Sequence, residues 1–326
     1  MSDTSPRNPY RDRLKQALAL IADRHFAQAR DMLDQLKADE GAMSGRVLGE
    51  ATVLGLPRKL HSAYLKLAKA SADRIARVGL QHTLVPDPAI LGPMTTAGPD
   101  LRRRMNAKGG EPVPRKIHQI WIGTMDVPPG CARWQAHAGA TGFAYRLWRE
   151  ADLDALGVTH HPAYRRMIAE GDYPGAVDVA RYVILLEEGG IYIDCDWYPA
   201  RDDLGFADLL PLVGLTALEE ATPRDTGKGS LLFTNSLIAA PPGHPAFAML
   251  LDLLPAAVEA MPDAPAWWST GPLAMTLVFR NTSVFVPPAG LVAADLPRRA
   301  AIEAVEAASR AARENGDGLL VNWKSW

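Results

Sequence analysis

AVDVARYVILLEEGGIYIDCDWYP, residues 176–199, changes from a helical to an extended pattern within a few residues. The first part predicts a helix that begins at Pro174 or Gly175 and ends at Gly189–Gly190. The residues IYID then predict a short buried strand, because β-branched and aromatic side chains favour an extended backbone. A helix that leads directly into a buried strand is typical of an α/β sheet. The predicted buried stripe of the helix consists of Ala176, Val179, Ala180, Val183 and Leu186.

Flanking segments extend this α/β pattern in both directions. Residues 116–123, KIHQIWIG, and residues 143–148, FAYRLW, predict two strands that are joined by a loop and a short helix. A later helix is predicted to have Ser269 or Thr270 as its N-cap and Pro272 in its first turn. Further strands are predicted over 209–215, 231–240 and 283–288, and at the start of the C-terminal segment 319–326.

The N-terminal part of the chain shows a purely helical pattern. Residues 10–39 predict a helical hairpin with its turn at 23–25, and residues 57–80 predict a second helical stretch. The Pro- and Gly-rich residues 85–114 predict a linker. The helices form an extension that either packs on the main domain or binds a partner. The expected division is an N-terminal helical extension over 1–84, a linker over 85–114 and the α/β domain over 115–326.

Composition excludes several classes of protein. With 48% apolar and 22% charged residues among 326, the chain has the composition of an ordinary globular protein. A formal charge of −2 argues against a nucleic-acid partner, which would require a basic face. Two cysteines indicate no disulfide framework and favour a reducing compartment. Because no signal segment or long apolar run is present, we expect a cytoplasmic protein; peripheral association with the inner face of a membrane is left open.

Two acids one residue apart follow the predicted strand. In an extended segment Tyr192, Asp194 and Asp196 would project to one side, and Cys195 would point to the other. Two neighbouring carboxylates stay ionised together only when a cation or strong donors lie between them. Mg²⁺ or Mn²⁺ suits such a pair when substrate phosphates supply further oxygen ligands. A single D-x-D is weak evidence, however, and a solvated polar turn is the alternative.

Other residues bear on the choice between these alternatives. Asp178 and Arg181 lie three residues apart on one face of the predicted helix, so they form either a surface ion pair or part of the same cleft. Trp121 follows the first strand, where it is either a surface on which a nucleobase stacks or a core aromatic residue. The terminal residues NWKSW are more aromatic than a disordered tail usually is, and we expect them to dock.

The motifs RKIHQIWIG, AVDVARYVILLEEGGIYIDCDWYP, STGP and the terminal SW together resemble those of the family 32 glycosyltransferases, which are sugar transferases with a DXD motif. This family includes capsular-polysaccharide enzymes and outer-chain mannosyltransferases, and the clostridial glucosylating toxins have a similar core. The resemblance covers residues 114–326. It implies a GT-A type nucleotide-diphospho-sugar transferase fold, which is a Rossmann-like mixed sheet flanked by helices, here with the N-terminal helical extension.

The resemblance also implies roles for individual residues. Asp194, Asp196 and Arg181 would be the catalytic residues, with Asp196 on the metal and Arg181 at the phosphate or the donor sugar. Asn322 stands where the family usually has a His or Glu, and it would complete the metal ligands with Asp194 and Asp196. The residues implied to bind the donor are Trp121 under the base, Asp178, Arg181, Tyr192, Asp194, Asn235, Ser325 and Trp326.

The function implied is metal-dependent transfer of a sugar, with retention of configuration, from a UDP- or GDP-linked donor to a hydroxyl acceptor. A cell-surface or capsular glycan is the expected acceptor, and Mn²⁺ or Mg²⁺ the expected cofactor. The loop over 217–230 is either an acceptor lid or a surface loop. Two alternatives remain open: a catalytically silent nucleotide-sugar-binding scaffold, and a metal-dependent phosphoesterase.

Overall fold

The computed structural model describes residues 8–44, 46–220, 232–262, 264–316 and 318–326. The loop predicted over 217–230 is wrong over residues 217–219, which form the end of a strand, and from residue 221 onward it lies outside the described residues. Two compact units divide between Ile90 and Leu91. Within the described ranges, no helix combines the length and the apolar character that crossing a membrane requires.

The N-terminal unit is helical, as its sequence pattern predicts. The turn expected at 23–25 is confirmed. The helical stretch predicted over 57–80 is divided into two helices, because Ala72 has φ 57° and Asp73 caps a new helix by accepting the Ala76 N–H at 3.0 Å. Leucine and alanine side chains form the core of this unit. Its helices are α1 (Pro9–Ala22), α2 (Phe26–Ala38), α3 (Glu40–Ser44), α4 (Arg58–Ala70) and α5 (Arg74–Thr83).

Two short helices occupy most of the segment predicted as a linker. These are α6 (Pro88–Met94) and α7 (Pro99–Ala107), and each begins with proline, whose fixed φ suits the first helical position. Met105 on α7 is fully buried. The division of the chain into extension, linker and α/β domain stays a prediction.

The second unit is built on a mixed sheet. Its strands are β1 (Lys116–Ile120), β2 (Ala144–Trp148), β3 (Gly190–Ile193), β5 (Thr216–Glu219) and β6 (Phe233–Ala240), and β4 belongs to a smaller sheet described below. Across the described residues the strand order is β2-β1-β3-β6-β5. The first three strands run parallel, whereas β3 with β6 and β6 with β5 are antiparallel. This arrangement, flanked by helices, confirms the expected α/β fold class.

The connections of the sheet fix which elements meet at its carboxyl edge. Helix α8 (Pro129–Ala140) joins β1 to β2, and α11 (Tyr173–Glu188) leads into β3. Gly190 has φ +97°, and a Cβ there would lie 2.8 Å from the Lys116 carbonyl oxygen, so only glycine fits this connection. The remaining helices are α9 (Glu150–Ala155), α10 (Pro162–Ala169), α12 (Phe206–Leu209), α13 (Pro245–Ala260), α14 (Ala266–Ser269), α15 (Pro272–Phe279) and α16 (Ile302–Asn315).

A second, smaller sheet brings the C-terminal segment beside residues 197–199, which follow β3 along the chain. Its strands are β4 (Trp197–Pro199), β7 (Val292–Asp295) and β8 (Leu320–Asn322), in the order β4-β8-β7 within the described part of the chain. Strands β4 and β8 are antiparallel, and β7 and β8 are parallel. Strands of three or four residues are too short to show a periodic pattern, which explains why β4 and β7 are missed by the sequence analysis.

Two predicted strands are wrong. Over 209–215 the chain leaves α12 and turns, with Leu212 at φ 49°, and the strand begins only at Thr216. Over 283–288 a single bridge joins Phe285 to Thr216, and Pro287 and Pro288 have no N–H to donate. The main core lies between the two sheets and α8, and includes Trp134, Ile191, Ile193, Trp197, Phe206 and Leu320.

Candidate functional site

The two acids follow β3 in a turn rather than in an extended segment. Trp197 N–H donates to the Asp194 carbonyl at 3.3 Å, which closes the turn after β3 ends at Ile193. The alternation that would align Tyr192, Asp194 and Asp196 therefore stops at Asp194. The backbone forms a turn, which is the alternative that the sequence left open. We call residues 194–197 the D-x-D turn. Both carboxylates are half-buried.

A buried ion pair holds the first acid. The Arg181 guanidinium lies 3.1 Å from the Asp178 carboxylate and 3.3 Å from the Asp194 carboxylate. Asp178 is 5% exposed and Arg181 is 4% exposed. The surface ion pair considered from the sequence is therefore wrong. Tyr192 donates its hydroxyl to Asp194 at 2.7 Å, and its ring lies 4.5 Å from the guanidinium carbon. Arg181 also donates to the main-chain oxygen of Asn235. One network thus joins α11, β3 and β6.

Asp178 is surrounded by donors. The Asn235 amide donates to it at 2.7 Å and the Thr270 hydroxyl at 2.9 Å. Burial raises the pKa of Asp178 to about 6, although Arg181 and these two donors oppose the shift. Burial alone would lower the pKa of Arg181, but the Asp194, Tyr192 and Asp178 charges outweigh it and the pKa is raised. The arginine is therefore a permanent cation between two acids.

Thr270 is a member of this network that the sequence analysis missed. The motif STGP suggests a helix cap, but Gly271 is the N-cap of α15, so neither Ser269 nor Thr270 has that position. The Thr270 carbonyl accepts from Tyr182 at 2.9 Å. A Cβ at Gly271 would lie 2.8 Å from Asp178, so the chain passes the acid as closely as it can. The sequence analysis named Thr270, but as a helix cap instead of a hydrogen-bond partner of Asp178.

The second acid lies beside the C-terminal segment. Asn322 pairs with Trp197 across β8 and β4, and Trp323 N–H donates to the Asp196 carbonyl at 2.6 Å. The pKa of Asp196 is raised to about 7 by burial and by the neighbouring Asp194 charge, while Lys324 opposes the shift. Lys324, also missed from the sequence, thus places a cation near this acid.

The last residues dock, as expected. The Trp326 ring packs edge-on against Trp121 with 4.9 Å between ring centres, and the Trp326 main-chain oxygen accepts from Arg298 at 2.7 Å. Ser325 is half-buried between Trp326 and Lys324, whose ammonium lies 5.2 Å from the Trp326 ring. Trp121 is 7% exposed, because Trp326 covers it and its indole N–H donates to the Met125 carbonyl at 2.9 Å. In this structure Trp121 is a core aromatic residue.

Cys195, between the two acids, packs away from them. It lies in an apolar cluster with Cys131 and Trp121, and its thiol is 3.2 Å from the Ile120 carbonyl oxygen. Both cysteines are free thiols. The sequence analysis expects Cys195 to point away from the two acids, and this position agrees with that expectation.

The groups near the D-x-D turn fit a divalent cation that is shared with a phosphate ligand. Asp194 and Asp196 offer carboxylate oxygens, and Asn322 on the neighbouring strand carries an amide oxygen. Across the described residues, no group of three or more His, Cys, Asp or Glu side chains is arranged to hold a metal ion. Mg²⁺ and Mn²⁺ take such oxygen donors together with substrate phosphates and water. The two adjacent acids, one with a raised pKa, are the kind of pair that a cation stabilises.

Comparison with known proteins identifies the same part of the chain. Residues 138–207 match the family described as "Glycosyltransferase sugar-binding region containing DXD motif". A curated relative from Photorhabdus asymbiotica, named "Toxin", is 26% identical over 44% of this chain, and the match covers 6% of that protein. The chain thus spans a small part of this relative. The matched segment, which contains α11, β3 and the D-x-D turn, is glycosyltransferase-like.

Two solved structures are also similar to this chain. The "PaToxG Glycosyltransferase" is 20% identical, with 55% of this chain and 73% of that chain covered and a TM-score of 0.42. The ligand-free glycosyltransferase domain from the YGT toxin is 12% identical, with 86% and 71% covered and a TM-score of 0.26.

Proposed function

We propose that the chain is a metal-dependent, retaining glycosyltransferase of the family 32 type. It takes a UDP- or GDP-linked sugar as donor and transfers the sugar to a hydroxyl, with a cell-surface or capsular glycan as the acceptor. The observation that carries the proposal is the buried network of Asp178, Arg181 and Asp194, which ends at the D-x-D turn in the segment that matches the sugar-transferase region.

The donor diphosphate would lie between the D-x-D turn and the C-terminal residues. Asp194, Asp196 and Asn322 would hold Mn²⁺ or Mg²⁺, and this ion would supply positive charge to the departing diphosphate. Ser325 would donate to the diphosphate, and Trp326 would close over it. Trp121 would stack on the base only after Trp326 moves away, since Trp326 covers the ring in this structure.

The two cations of the site would have different tasks. Every nitrogen of the Arg181 side chain already has a partner, since Nε lies 3.4 Å from the Val177 carbonyl oxygen and the other two contact Asn235, Asp194 and Asp178. We therefore propose that Arg181 positions Asp194 instead of binding phosphate.

Lys324 is exposed and beside the second acid, so its ammonium is free to approach the diphosphate. Positive groups that face the charge developing on a leaving group lower the barrier to its departure. Asp178 and Asn235 would face the donor sugar, and Tyr192 would fix the orientation of Asp194 through its hydroxyl.

Thermal unfolding with a panel of nucleotide sugars, with and without Mn²⁺, tests this proposal. A ligand that binds the folded state raises the unfolding temperature. We expect metal-dependent stabilisation by one donor class and transfer of its sugar to an acceptor or to water. Asp196→Asn removes one metal ligand charge and should weaken metal-dependent donor binding by about 10- to 100-fold or more. Asp23→Asn, a change of the same type at an exposed turn, is the control.

Each outcome separates the proposal from its alternatives. Donor binding without sugar release would favour the silent scaffold protein. Cleavage of the donor to a nucleoside monophosphate and a sugar 1-phosphate, with no free or transferred sugar, would favour the phosphoesterase. Wild-type donor binding and turnover in Asp196→Asn, measured with and without chelator, would refute the metal-dependent transferase.

A further inference from the structure

The two cysteines of the chain meet beside the D-x-D turn, although they lie far apart in sequence. Cys131 is in the first turn of α8, and Cys195 lies between the two acids. Their side chains pack in one buried cluster, in which Cys131 is 2% exposed and Cys195 is 7% exposed. A Cβ at Gly130 would lie 3.6 Å from the Cys195 carbonyl oxygen, so the two backbones also approach closely. Such proximity is what a disulfide requires. We call Cys131 and Cys195 the thiol pair.

Cys131 is the more reactive member of the thiol pair. Hydrogen bonds with Cys195 and with Tyr145 lower the pKa of the Cys131 thiol, and together with the Arg149 charge they outweigh the opposing effect of burial. The thiolate is the form of cysteine that reacts with oxidants. The half-buried Trp326 packs against the same cluster, so an oxidant that reaches the thiols has to be small. Hydroperoxides are oxidants of this size.

Hydrogen bonds hold the D-x-D turn at three successive residues. The Asp194 carbonyl accepts from the Gln119 amide at 3.1 Å, and the Asp196 carbonyl accepts from an N–H of the C-terminal segment at 2.6 Å. Between them, the Cys195 thiol donates to the Ile120 carbonyl at 3.2 Å. Oxidation of Cys195 to a disulfide removes this third bond, because a disulfide sulfur carries no hydrogen to donate. The middle of the turn is therefore the point that redox chemistry can change.

We propose that the thiol pair is an oxidative modification site, at which a hydroperoxide converts the two thiols into a disulfide that ties the D-x-D turn to α8. The Cys131 thiolate attacks one peroxide oxygen and becomes a sulfenic acid, while the O–O bond breaks and hydroxide leaves. The Cys195 thiol then attacks the sulfenic sulfur, so that the S–S bond forms and water leaves. The hydroxide takes up the proton that Cys131 had lost. Two thiols are thus oxidised, and one hydrogen peroxide is reduced to two molecules of water.

The disulfide changes the segment that carries both acids. The Cys195 sulfur leaves the Ile120 carbonyl and moves towards α8, and the backbone of Asp194 and Asp196 on either side moves with it. Loss of the groups that orient metal ligands typically lowers metal affinity by about 10- to 100-fold. We expect oxidation to weaken the Mg²⁺-dependent binding of UDP and GDP by a similar factor, and a thiol reductant to restore it. This effect on binding rests on the proposed function, whereas formation of the disulfide does not.

The test treats the full chain with hydrogen peroxide and counts free thiols in denaturant. We expect the count to fall from two to none and to return to two after dithiothreitol, with a peptide pair linked through Cys131 and Cys195 in the mass spectrum. Calorimetric titration with UDP and GDP in Mg²⁺ then compares the reduced and oxidised protein. Cys131→Ser is the matched control and should keep its affinity after peroxide. Cys195→Ser, which keeps a hydroxyl donor for Ile120, is a second variant that should also resist. Recovery in dithiothreitol excludes methionine oxidation, whose reversal requires an enzyme.

The thiol count and the titration decide different parts of the inference. Two free thiols after peroxide, sulfinic acids without an S–S bond, or a disulfide between two chains would overturn the modification site and leave the glycosyltransferase proposal standing. A disulfide with unchanged nucleotide affinity, or an equal loss of affinity in Cys131→Ser after peroxide, would overturn its control of the D-x-D turn. Failure of the reduced protein to bind either nucleotide would count against the proposed function, and the thiol count would still decide whether the disulfide forms.

Discussion

The Asn235 side chain is the best place to measure the strength of the buried network. Its amide donates to the buried Asp178 at 2.7 Å, whereas the bond from Arg181 goes to the main-chain oxygen and survives truncation of the side chain. A hydrogen bond to a charged group contributes about 1.5–3 kcal/mol. We therefore expect Asn235→Ala to lower the free energy of unfolding by about 2 kcal/mol at pH 7.5. Urea unfolding followed by circular dichroism measures this value.

The stability lost in Asn235→Ala should be smaller at acid pH. Burial raises the pKa of Asp178 from 3.8 to about 6, so the folded protein binds this proton more tightly than the unfolded chain. Stability from this group therefore falls as pH rises towards 6 and is constant above it. Removing the Asn235 donor raises the pKa of Asp178 further, so in the variant the stability continues to fall to a higher pH. At pH 5 Asp178 is neutral in both proteins, and the loss should be about 1 kcal/mol, the value for a neutral hydrogen bond.

The Asn235→Ala prediction is checked against a control variant with the same change at the surface. Asn315→Ala makes the same change at an exposed position and should alter stability by no more than about 0.5 kcal/mol. A loss in Asn235→Ala that is no larger than in this control at pH 7.5, or that is equal at pH 7.5 and pH 5, would refute the charge-assisted bond.

Two further predictions concern residues outside the network. Burial, aided by the charge of Lys108, lowers the pKa of His244 from 6.5 to about 4, so the stability from this neutral histidine is lost as pH falls below 6.5. The variant His244→Asn can still cap α13, and in urea unfolding it should reduce the stability lost between pH 7 and pH 5 by about 2 kcal/mol. An unchanged loss of stability between these pH values would contradict this prediction. Gly190→Ala should lower the free energy of unfolding by about 3 kcal/mol or more, because of the left-handed backbone and the contact with Lys116. Gly110→Ala is the control, because the space around this residue is open. Equal melting temperatures for the two variants would refute the packing argument.

Local patterns made α11 and β3 predictable. The Val and Ala stripe, the double glycine and the strand residues IYID are all continuous in sequence, so α11 and β3 appear where they were expected. Two members of the predicted buried stripe, Val183 and Leu186, are only half-buried. The positions of Asp178 and Arg181 on one helix face followed from the same periodicity. Their burial did not, because it depends on β6 and on Thr270, 92 residues away from Asp178.

Long-range contacts account for what the sequence analysis missed. Thr270 precedes a glycine and a proline, a pattern that also fits a helix cap, and its real partner is distant in sequence. Lys324 looks like an ordinary charged tail residue until β8 pairs with β4. The D-x-D segment was treated as extended because strand ends are not marked by sequence pattern alone. Trp121 shows the same limit, since the ring that covers it is supplied by Trp326.

The pairing of β4 with β8 also has a consequence for biosynthesis. Trp197 and Asn322 are neighbours in the sheet although 125 residues separate them along the chain, and Trp323 holds the carbonyl of Asp196. Contacts between such distant residues form late and slowly. During synthesis, which supplies the N-terminal parts first, the D-x-D turn therefore stays without its neighbouring strand until residues 320–326 have left the ribosome. A nascent chain cannot assemble this site early, so the proposed activity appears only after residues 320–326 have been translated.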